Sequence, residues 1–363
     1  MPLSNAWATI DHAALLHNVS RVSDLAPNSN IMAVIKSLGY GHGAISLAYA
    51  LQRKVDAFAV ARIEEGLALR AEGITKSILV LEGLCSPEQL SLAQQHQLDV
   101  AIHHPKQLTW LEALDAPLGC WIKVDSGMSR LGLHPDQVPE VLAAVQQHKY
   151  LKLKGAMTHL ANADDPQDSK TDVQLAAFNE IAWPDDLALS IANSAAVLTR
   201  PDAHTDWVRP GLMLYGASPL LNQSAQSLDL KPVMQLSSRL ISIKQLNAGD
   251  TVGYGATWQA NEVMPMGIVG IGYGDGYPRE VPAEAYVLIN GKQAPIIGRV
   301  SMDMITVDLR GIDCVIGDEV TLWGEGLPID LVAQWTNTIA YTLMCGVTQR
   351  VQRVQRVQRI NKA

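Results

Sequence analysis

The sequence predicts an α/β fold in which an N-terminal (β/α)8 TIM-like barrel is followed by a C-terminal all-β domain. In the first part of the chain, short apolar segments alternate with helical patterns, as the units of such a barrel do. After about Lys231 the helical periodicity fades, and short β-rich runs separated by turn dipeptides follow. A chain of 363 residues is also long enough for two domains.

The barrel prediction depends on eight short segments that are rich in β-branched and apolar residues. These strand candidates are residues 31–36, 56–61, 77–82, 98–102, 119–124, 153–158, 187–191 and 206–209. A doubly wound sheet is the alternative, but that fold usually needs fewer βα units. We therefore favour the barrel.

Helical patterns fill the intervals between these strands. Asp11 is a candidate N-cap for a first helix. Ser86, Pro87 and Gln89 form a second start signal, with Ser86 as the N-cap and Gln89 as its capping-box partner. Further helices are expected over 135–147, after Thr171 with an apolar face that includes Val173, and over 194–199.

The second part of the chain is predicted to be a separate β domain. Its strand candidates are residues 236–243, 267–271, 285–289 and 304–309. Asn290-Gly291 between two of them is a hairpin signal. We expect the barrel to span residues 8–230 and the β domain residues 231–350, joined by residues 1–7. Residues 351–363, within an Arg-Val-Gln repeat that begins at Arg350, are expected to be a polar, solvated extension.

Composition excludes several classes of function. The formal net charge of −8 argues against nucleic-acid binding, and no apolar run reaches the ~18 residues of a membrane helix. The start of the chain lacks the features of a signal peptide. The cysteines (Cys85, Cys120, Cys314, Cys345) form no Cys-x-x-Cys pair and the histidines show no metal-ligand spacing. We expect a cytoplasmic protein with reduced thiols and no metal.

The candidate for chemistry is Lys36, at the end of the first barrel strand and before a glycine-rich turn. Burial lowers the pKa of a lysine, and such a lysine can form a Schiff base with a carbonyl. Two alternatives stay open at this point. The lysine could simply extend to water. Gly39, Gly41 and Ala44 also match a weak dinucleotide-binding pattern.

The ends of the other strands supply further candidates, because functional residues of a barrel gather where strands end. They are Lys123 and Arg130 after the fifth strand, His159 after the sixth, Ser194 after the seventh, and Arg209, Gly211 and Leu212 at the eighth. Loops after strands seven and eight often hold a phosphate, and Ser194 opens a helix whose amides favour anions. Tyr40 could reach the same phosphate.

A phosphate and a lysine-bound aldehyde at one barrel mouth indicate pyridoxal 5′-phosphate (PLP). Each residue alone also has a structural explanation. Arg209 could belong to an ion pair, His159 could be a core histidine, and Ser194 could be only an N-cap. Their joint placement at one face favours the functional interpretation.

Six sequence motifs are shared with a known family. They are Ala-Val-Ile-Lys36-Ser-Leu-Gly-Tyr40-Gly-His-Gly, Lys123-Val-Asp-Ser-Gly-Met-Ser-Arg130-Leu-Gly, Trp207-Val-Arg209-Pro-Gly211, Val252-Gly-Tyr254-Gly-Ala-Thr, Gly272-Tyr273-Gly-Asp-Gly-Tyr-Pro-Arg279 and Gly298-Arg299-Val-Ser-Met302-Asp303. They give most of the chain a resemblance to the bacterial alanine racemase family, whose members are PLP enzymes. The resemblance implies a PLP barrel plus a β domain, paired head to tail as homodimers that act on alanine. The D-alanine would feed cell-wall peptidoglycan, or the enzyme would serve alanine catabolism.

The resemblance also implies a two-base mechanism. Lys36 would serve the D-face of the substrate, and Tyr254 of the partner subunit the L-face. A tyrosine normally has a pKa of about 10, which nearby cations such as His159 and Arg209 would lower. Arg209 would also face the pyridine nitrogen and, having no proton acceptor, would keep the ring a weak electron sink.

The remaining assignments are implied in the same way. Tyr341 would join Tyr40 and Ser194 at the phosphate, Arg130 and the Met302 amide would bind the substrate carboxylate, and Lys123 could carry a carbamate. The residues expected at the entrance are Tyr273, Arg279, Arg299 and Asp303.

Two departures and two further alternatives accompany this resemblance. Ser37-Leu38-Gly39 replaces the commoner Ala-Asn-Ala, and the Arg-Val-Gln repeat extends the end of the chain. A racemase of broader specificity, for example toward serine, is one alternative. A non-catalytic PLP-binding barrel is the other, although such proteins lack the β domain.

Overall fold

The computed structural model describes residues 4–357, and within them eight parallel strands close into a barrel. The first strand of the chain, β1 (Ala6–Asp11), lies outside this barrel. The barrel strands are β2 (Asn30–Val34), β3 (Ala57–Val60), β4 (Ser77–Val80), β5 (Asp99–Ile102), β6 (Leu118–Lys123), β7 (Leu151–Met157), β8 (Leu189–Asn193) and β9 (Trp207–Arg209). Each overlaps one predicted segment, so the barrel prediction is confirmed.

One helix precedes the first barrel strand, and the others lie between successive strands. They are α1 (His12–Leu25), α2 (Lys36–Tyr40, a single turn with left-handed backbone angles at residues 37–39), α3 (Ala44–Leu51), α4 (Ile63–Ala71), α5 (Gln89–Gln95), α6 (Lys106–Leu111), α7 (Val138–Gln147), α8 (Lys170–Asn179) and α9 (Ser194–Thr199). Asp11 caps α1 as predicted, because its Oδ1 accepts from the Ala13 and Ala14 amides at 2.8 and 3.0 Å.

Two helix predictions are wrong in detail. Helix α5 begins at Gln89, whose side chain accepts from the Cys85 amide at 2.8 Å, so Ser86 is not the N-cap. In α8, Val173 is exposed and the buried face carries Gln174 instead. A polar residue is buried there because the Gln174 side chain binds the loop after β7, accepting from the Ala161 amide and donating to the His159 carbonyl.

The C-terminal part is an all-β domain, as predicted, with two helices before its last strand. Its strands are β10 (Met234–Leu246), β11 (Thr251–Val252), β12 (Trp258–Gln259), β13 (Met264–Val269), β14 (Tyr286–Ile289), β15 (Lys292–Pro295), β16 (Ile305–Asp308), β17 (Glu319–Trp323) and β18 (Gln352–Arg356), and its helices are α10 (Ile329–Trp335) and α11 (Ala340–Gly346). The predicted hairpin joins β14 to β15, and Asn290 and Gly291 both have positive φ as its turn requires.

The N-terminal strand belongs to this second sheet rather than to the barrel. β1 pairs antiparallel with β10 and parallel with β18. The main path of the sheet runs β15-β14-β17-β10-β1-β18, and β13 and β16 extend it from β10. The chain therefore starts in the β domain, passes through the barrel, and returns.

The prediction of a solvated extension after residue 350 is wrong for the part that the structure describes. Residues 352–356 form the edge strand β18, whose Arg353 is paired with Ala8 of β1. A repeat of three does not alternate as a half-buried strand should. It is compatible with this edge position because none of the β18 side chains is fully buried. The last part of the repeat, residues 358–363, lies outside the described residues.

Candidate active site

The turn that follows the first barrel strand carries Lys36 and has an unusual backbone. β2 ends at Val34, so Lys36 lies two residues beyond the strand rather than at its last position. Residues 37–41 all have positive φ, from 50° at Tyr40 to 79° at Gly41. We call residues 37–41 the left-handed turn. Three of its residues are not glycine, and such a conformation costs each of them roughly 1 kcal/mol or more.

Hydrogen bonds from several directions hold this turn. The Ser37 amide donates to Glu65 Oε1 at 2.6 Å, and the Gly39 amide donates to the Ile35 carbonyl at 3.0 Å. Glu65 also accepts from the Ala61 amide at 2.7 Å through its other oxygen. Glu65 of α4 thus ties the residue after Lys36 to the segment that follows β3.

His42 is a buried residue that supports the same turn and that the sequence analysis did not select. Its Nδ1 donates to the Tyr40 and Gly39 carbonyls at 2.9 and 3.0 Å. Burial lowers the pKa of His42 to about 4, so the ring is neutral near pH 7. The ring also packs against Tyr215, with centroids 4.7 Å apart.

Tyr40 points from the turn toward the end of the last barrel strand. A Cβ placed on Gly211 would lie 2.8 Å from the Tyr40 hydroxyl oxygen, so only glycine leaves room there. The Tyr40 ring lies 4.6 Å from that of Tyr215 and 5.6 Å from that of Tyr341 in α11. Burial raises the pKa of Tyr40, and raises that of Tyr341 to about 12, so both hydroxyls keep their protons and can donate.

Ser194 links the two loops that were expected to hold a phosphate. Its Oγ accepts from the Gly211 amide at 2.8 Å and from the Met213 amide at 3.3 Å. The N-cap of α9 is Asn193, whose side chain accepts from the Ala196 amide, and not Ser194. Ser194 therefore ties the start of α9 to the turn that contains Gly211 and Leu212.

Arg209 is buried and fully engaged with neutral oxygens. Its Nη1 donates to Ser190 Oγ at 2.6 Å, and its Nη2 donates to the carbonyls of Thr158 and Ile191. Among residues 4–357 no carboxylate pairs with it, so the alternative of a structural ion pair is wrong. Burial lowers the pKa of Arg209 to about 10, which still leaves it charged near pH 7.

Lys123 and His159 experience the positive charge of this region. Burial, followed by the charges of Arg209, Arg130 and Lys36, lowers the pKa of Lys123 to about 7. Burial and the same cations hold the pKa of His159 well below its usual range, so its ring is neutral near pH 7 and the expectation that His159 acts as a cation is wrong. Anions, such as a phosphate or a carboxylate, would relieve this repulsion.

A second group of predicted residues lies on the β domain. Tyr254 is 69% exposed in a turn between Gly253 and Gly255, and Gly255 lies against the Arg299 guanidinium. Within residues 4–357 no hydrogen bond or ion pair joins Tyr254 to Lys36.

The remaining β-domain residues form a neighbouring cluster. The Gly274 amide donates to the Met302 carbonyl at 2.8 Å, and Arg350 Nη2 contacts Asp303 Oδ1 at 2.6 Å. Met302 is 52% exposed, and Tyr273 also reaches the surface. Arg279 is exposed and pairs with Glu280, its neighbour in the chain.

The structure thus gathers the barrel candidates and Tyr341 at one mouth, and leaves the second group on an exposed face. A parallel barrel whose strand ends present a lysine, tyrosine hydroxyls and buried cations is an enzyme scaffold with an anion-binding active site. The attached β domain narrows the class further.

The chain belongs to the alanine racemase family, whose members are isomerases acting on amino acids. The model of the alanine racemase N-terminal domain matches residues 10–219, and that of the C-terminal domain matches residues 233–355. The chain is 49% identical over 348 residues to alanine racemase of Nitrosococcus oceani, covering 95% of this chain and 97% of that one. It is 45% identical over 358 residues to that of Coxiella burnetii, covering 96% and 98%.

Solved structures agree with this assignment. Biosynthetic alanine racemase from Pseudomonas aeruginosa has a TM-score of 0.93 at 42% identity, with 98% of this chain and 100% of that chain covered. Alanine racemase from Bartonella henselae with covalently bound pyridoxal phosphate has a TM-score of 0.88 at 30% identity, covering 97% and 100%.

The described residues contain neither a membrane-spanning helix nor a cluster of metal-binding side chains. No helix of residues 4–357 is long and apolar enough to cross a membrane. The same part of the chain contains no group of three or more His, Cys, Asp or Glu side chains arranged to hold a metal ion.

Proposed function

We propose that this protein uses PLP to interconvert L-alanine and D-alanine. The observation that carries the proposal is the left-handed turn, which directs Lys36 and Tyr40 to one mouth with Gly211 and the buried Arg209, in a chain of the alanine racemase family. When bound, PLP supplies an electron sink that acidifies the hydrogen on the amino acid Cα.

The residues of the mouth fit this cofactor. Tyr40, Tyr341, Ser194 and the turn at Gly211 and Leu212 would hold the phosphate, with neutral hydroxyl donors and a glycine that leaves space beside Tyr40. Lys36 would bind the aldehyde carbon. His159 and Arg209 would contact the ring, and the Arg209 guanidinium, which has only donors, would leave the ring nitrogen without a proton.

Lys36 and Tyr254 would move the proton on opposite faces of the substrate. Racemisation removes a proton from one face of Cα and returns one to the other, which two opposed groups do better than one. Tyr254 would act in the site of a partner subunit. Its exposure, with that of Met302, supports a homodimer with shared active sites.

The substrate carboxylate would be held by Arg130 and by the Met302 amide. Tyr273, Arg279, Arg299 and Asp303 would line the route to the site, and their exposure is compatible with that role. Tyr254, Tyr341 and Met302 would make the pocket small, which favours alanine. We also propose that the protein is located in the cytoplasm, because its four free thiols suit a reducing compartment.

An assay across the protein amino acids tests the substrate. With added PLP, the protein is expected to racemise alanine at least about tenfold faster, in kcat/KM, than serine, because the pocket discriminates by size. Faster turnover of serine or lysine would contradict the choice of alanine. Binding of PLP without racemisation of any amino acid would instead support the non-catalytic alternative.

Carbamylation of Lys123 is proposed as a separate feature of the site. A buried amine with a pKa of about 7 is partly neutral at pH 7 and can add carbon dioxide, releasing a proton. The resulting anion would be stabilised by Arg209 and Arg130. Native protein under isotopically labelled carbon dioxide is expected to give a carbamate NMR signal that grows as the pH rises through 7. The Lys123→Ala variant should lack it, and a wild-type protein without the signal would refute the proposal.

A further inference from the structure

Arg353, in the edge strand β18, donates hydrogen bonds to main-chain oxygens rather than to a carboxylate of the described residues. Its Nη1 donates to the Val351 and Thr348 carbonyls and its Nη2 to the Val347 carbonyl at 2.6 Å. Its Nε donates to the Gly41 carbonyl at 3.1 Å. This last bond joins the end of the chain directly to the left-handed turn.

The Gly41 carbonyl is the last of three successive main-chain carbonyls that accept hydrogen bonds from side chains. His42 binds the carbonyls of Gly39 and Tyr40, and Arg353 binds the next one. A turn in which non-glycine residues hold positive φ persists only when its surroundings determine it. Two side chains, one of them from β18, therefore fix the carbonyls on both sides of the Tyr40–Gly41 bond.

The packing around Gly41 is tight. A Cβ on Gly41 would collide with the Met344 carbonyl of α11, the helix that also carries Tyr341. A shift of Gly41 would move the neighbouring Tyr40, whose hydroxyl oxygen faces Gly211 in the proposed phosphate cradle.

We propose that Arg353 is a positioning residue that holds the Tyr40 hydroxyl in place for the cofactor phosphate by binding the Gly41 carbonyl. Strand β18 of the β domain would then support cofactor binding in the barrel of the same chain. This inference rests on the proposed function, since it assigns a support to one residue of the phosphate cradle.

The same strand provides a matched control. Arg356 follows Arg353 by one unit of the Arg-Val-Gln repeat and also lies in β18. It is exposed, and its hydrogen bond within the described residues is to Asp11 Oδ2 at 3.4 Å. Loss of Arg356 removes an arginine from the strand without touching the turn.

The test compares PLP with pyridoxal, which lacks the phosphate. Dissociation constants are measured for full-length dimers from which the cofactor has been removed and to which it is returned. We expect Arg353→Ala to weaken PLP binding by about tenfold or more and pyridoxal binding by less than about twofold. Arg356→Ala should leave both constants unchanged. Arg353→Lys should give a partial loss, because lysine keeps the charge but not the fork of donors.

The outcomes distinguish failure of the proposed function from failure of the proposed role of Arg353. A wild-type protein that binds pyridoxal as tightly as PLP would refute the phosphate site and with it the proposed function. A wild-type preference for PLP that Arg353→Ala retains, or an equal loss for both ligands, would overturn the role of Arg353.

If Arg353→Ala does not fold, a double-mutant cycle with Arg353→Lys and Tyr40→Phe decides. Because Arg353 is proposed to act through Tyr40, Arg353→Lys should add nothing to the loss of PLP affinity caused by Tyr40→Phe. Additive losses would overturn the inference.

Discussion

Alanine in place of Lys36 is expected to lower the kcat of alanine racemisation by at least about 10³-fold. The change removes both the amine that would bind the cofactor aldehyde and the proposed base of the D-face. Lys123 is not a substitute, because it is buried among cations. The measurement is the initial rate of D-alanine formation at saturating PLP.

The control for Lys36 is a lysine of similar chemistry far from the mouth. Lys54 is exposed after α3, and Lys54→Ala should retain wild-type turnover. Lys36→Arg should be as inactive as Lys36→Ala, since arginine keeps the charge but is a poor nucleophile. Activity of Lys36→Ala within tenfold of the wild type would remove Lys36 from the chemistry.

Replacement of Tyr254 by phenylalanine is expected to slow racemisation by about 10²- to 10⁴-fold, the usual contribution of a positioned acid or base. The variant should lose proton transfer on only one face of the substrate Cα. In heavy water, D-alanine should still exchange its α-hydrogen through Lys36, whereas exchange of L-alanine should fall with turnover. NMR of both enantiomers measures this, and an equal loss of exchange for both would contradict the assignment of faces.

Mixing the two inactive variants tests whether sites are shared between subunits. A heterodimer of Lys36→Ala and Tyr254→Phe chains has one site with both groups intact if Tyr254 acts across the interface. Random reassociation should then restore about one quarter of wild-type activity, since half of the dimers are mixed and each has one complete site of two. Failure of the mixture to regain activity would indicate that both groups act within one chain.

The sequence predicts the barrel well because parallel strands buried on both sides appear as short apolar runs. In the β domain it predicts β10, β13, β14 and β16 from turns and β-branched residues, together with the hairpin to β15, but it misses β11, β12 and β17. Other errors concern side chains that bind distant backbone. The pattern predicted that Val173 lies on the buried face of α8, but Gln174 is buried there instead, because its side chain holds the loop that carries His159.

The candidate site is predictable where residues follow strand ends, as Lys36, His159 and Arg209 do. His42 and Arg353 could not be found in this way, because they act on carbonyls and have no chemical motif of their own. The left-handed turn was equally hidden, since Ser37, Leu38 and Tyr40 rarely adopt positive φ and only the packed chain imposes it.

The position of β1 has a consequence for how the molecule is made. Trp7 is paired with Ser237 on one side and with Gln352 on the other. During synthesis this strand leaves the ribosome before the barrel does, yet its neighbours arrive only after the whole barrel has been translated. Until then it presents two unpaired edges, which invite association with other chains. A strand that is synthesised before the barrel is therefore paired on both edges only after the barrel is complete.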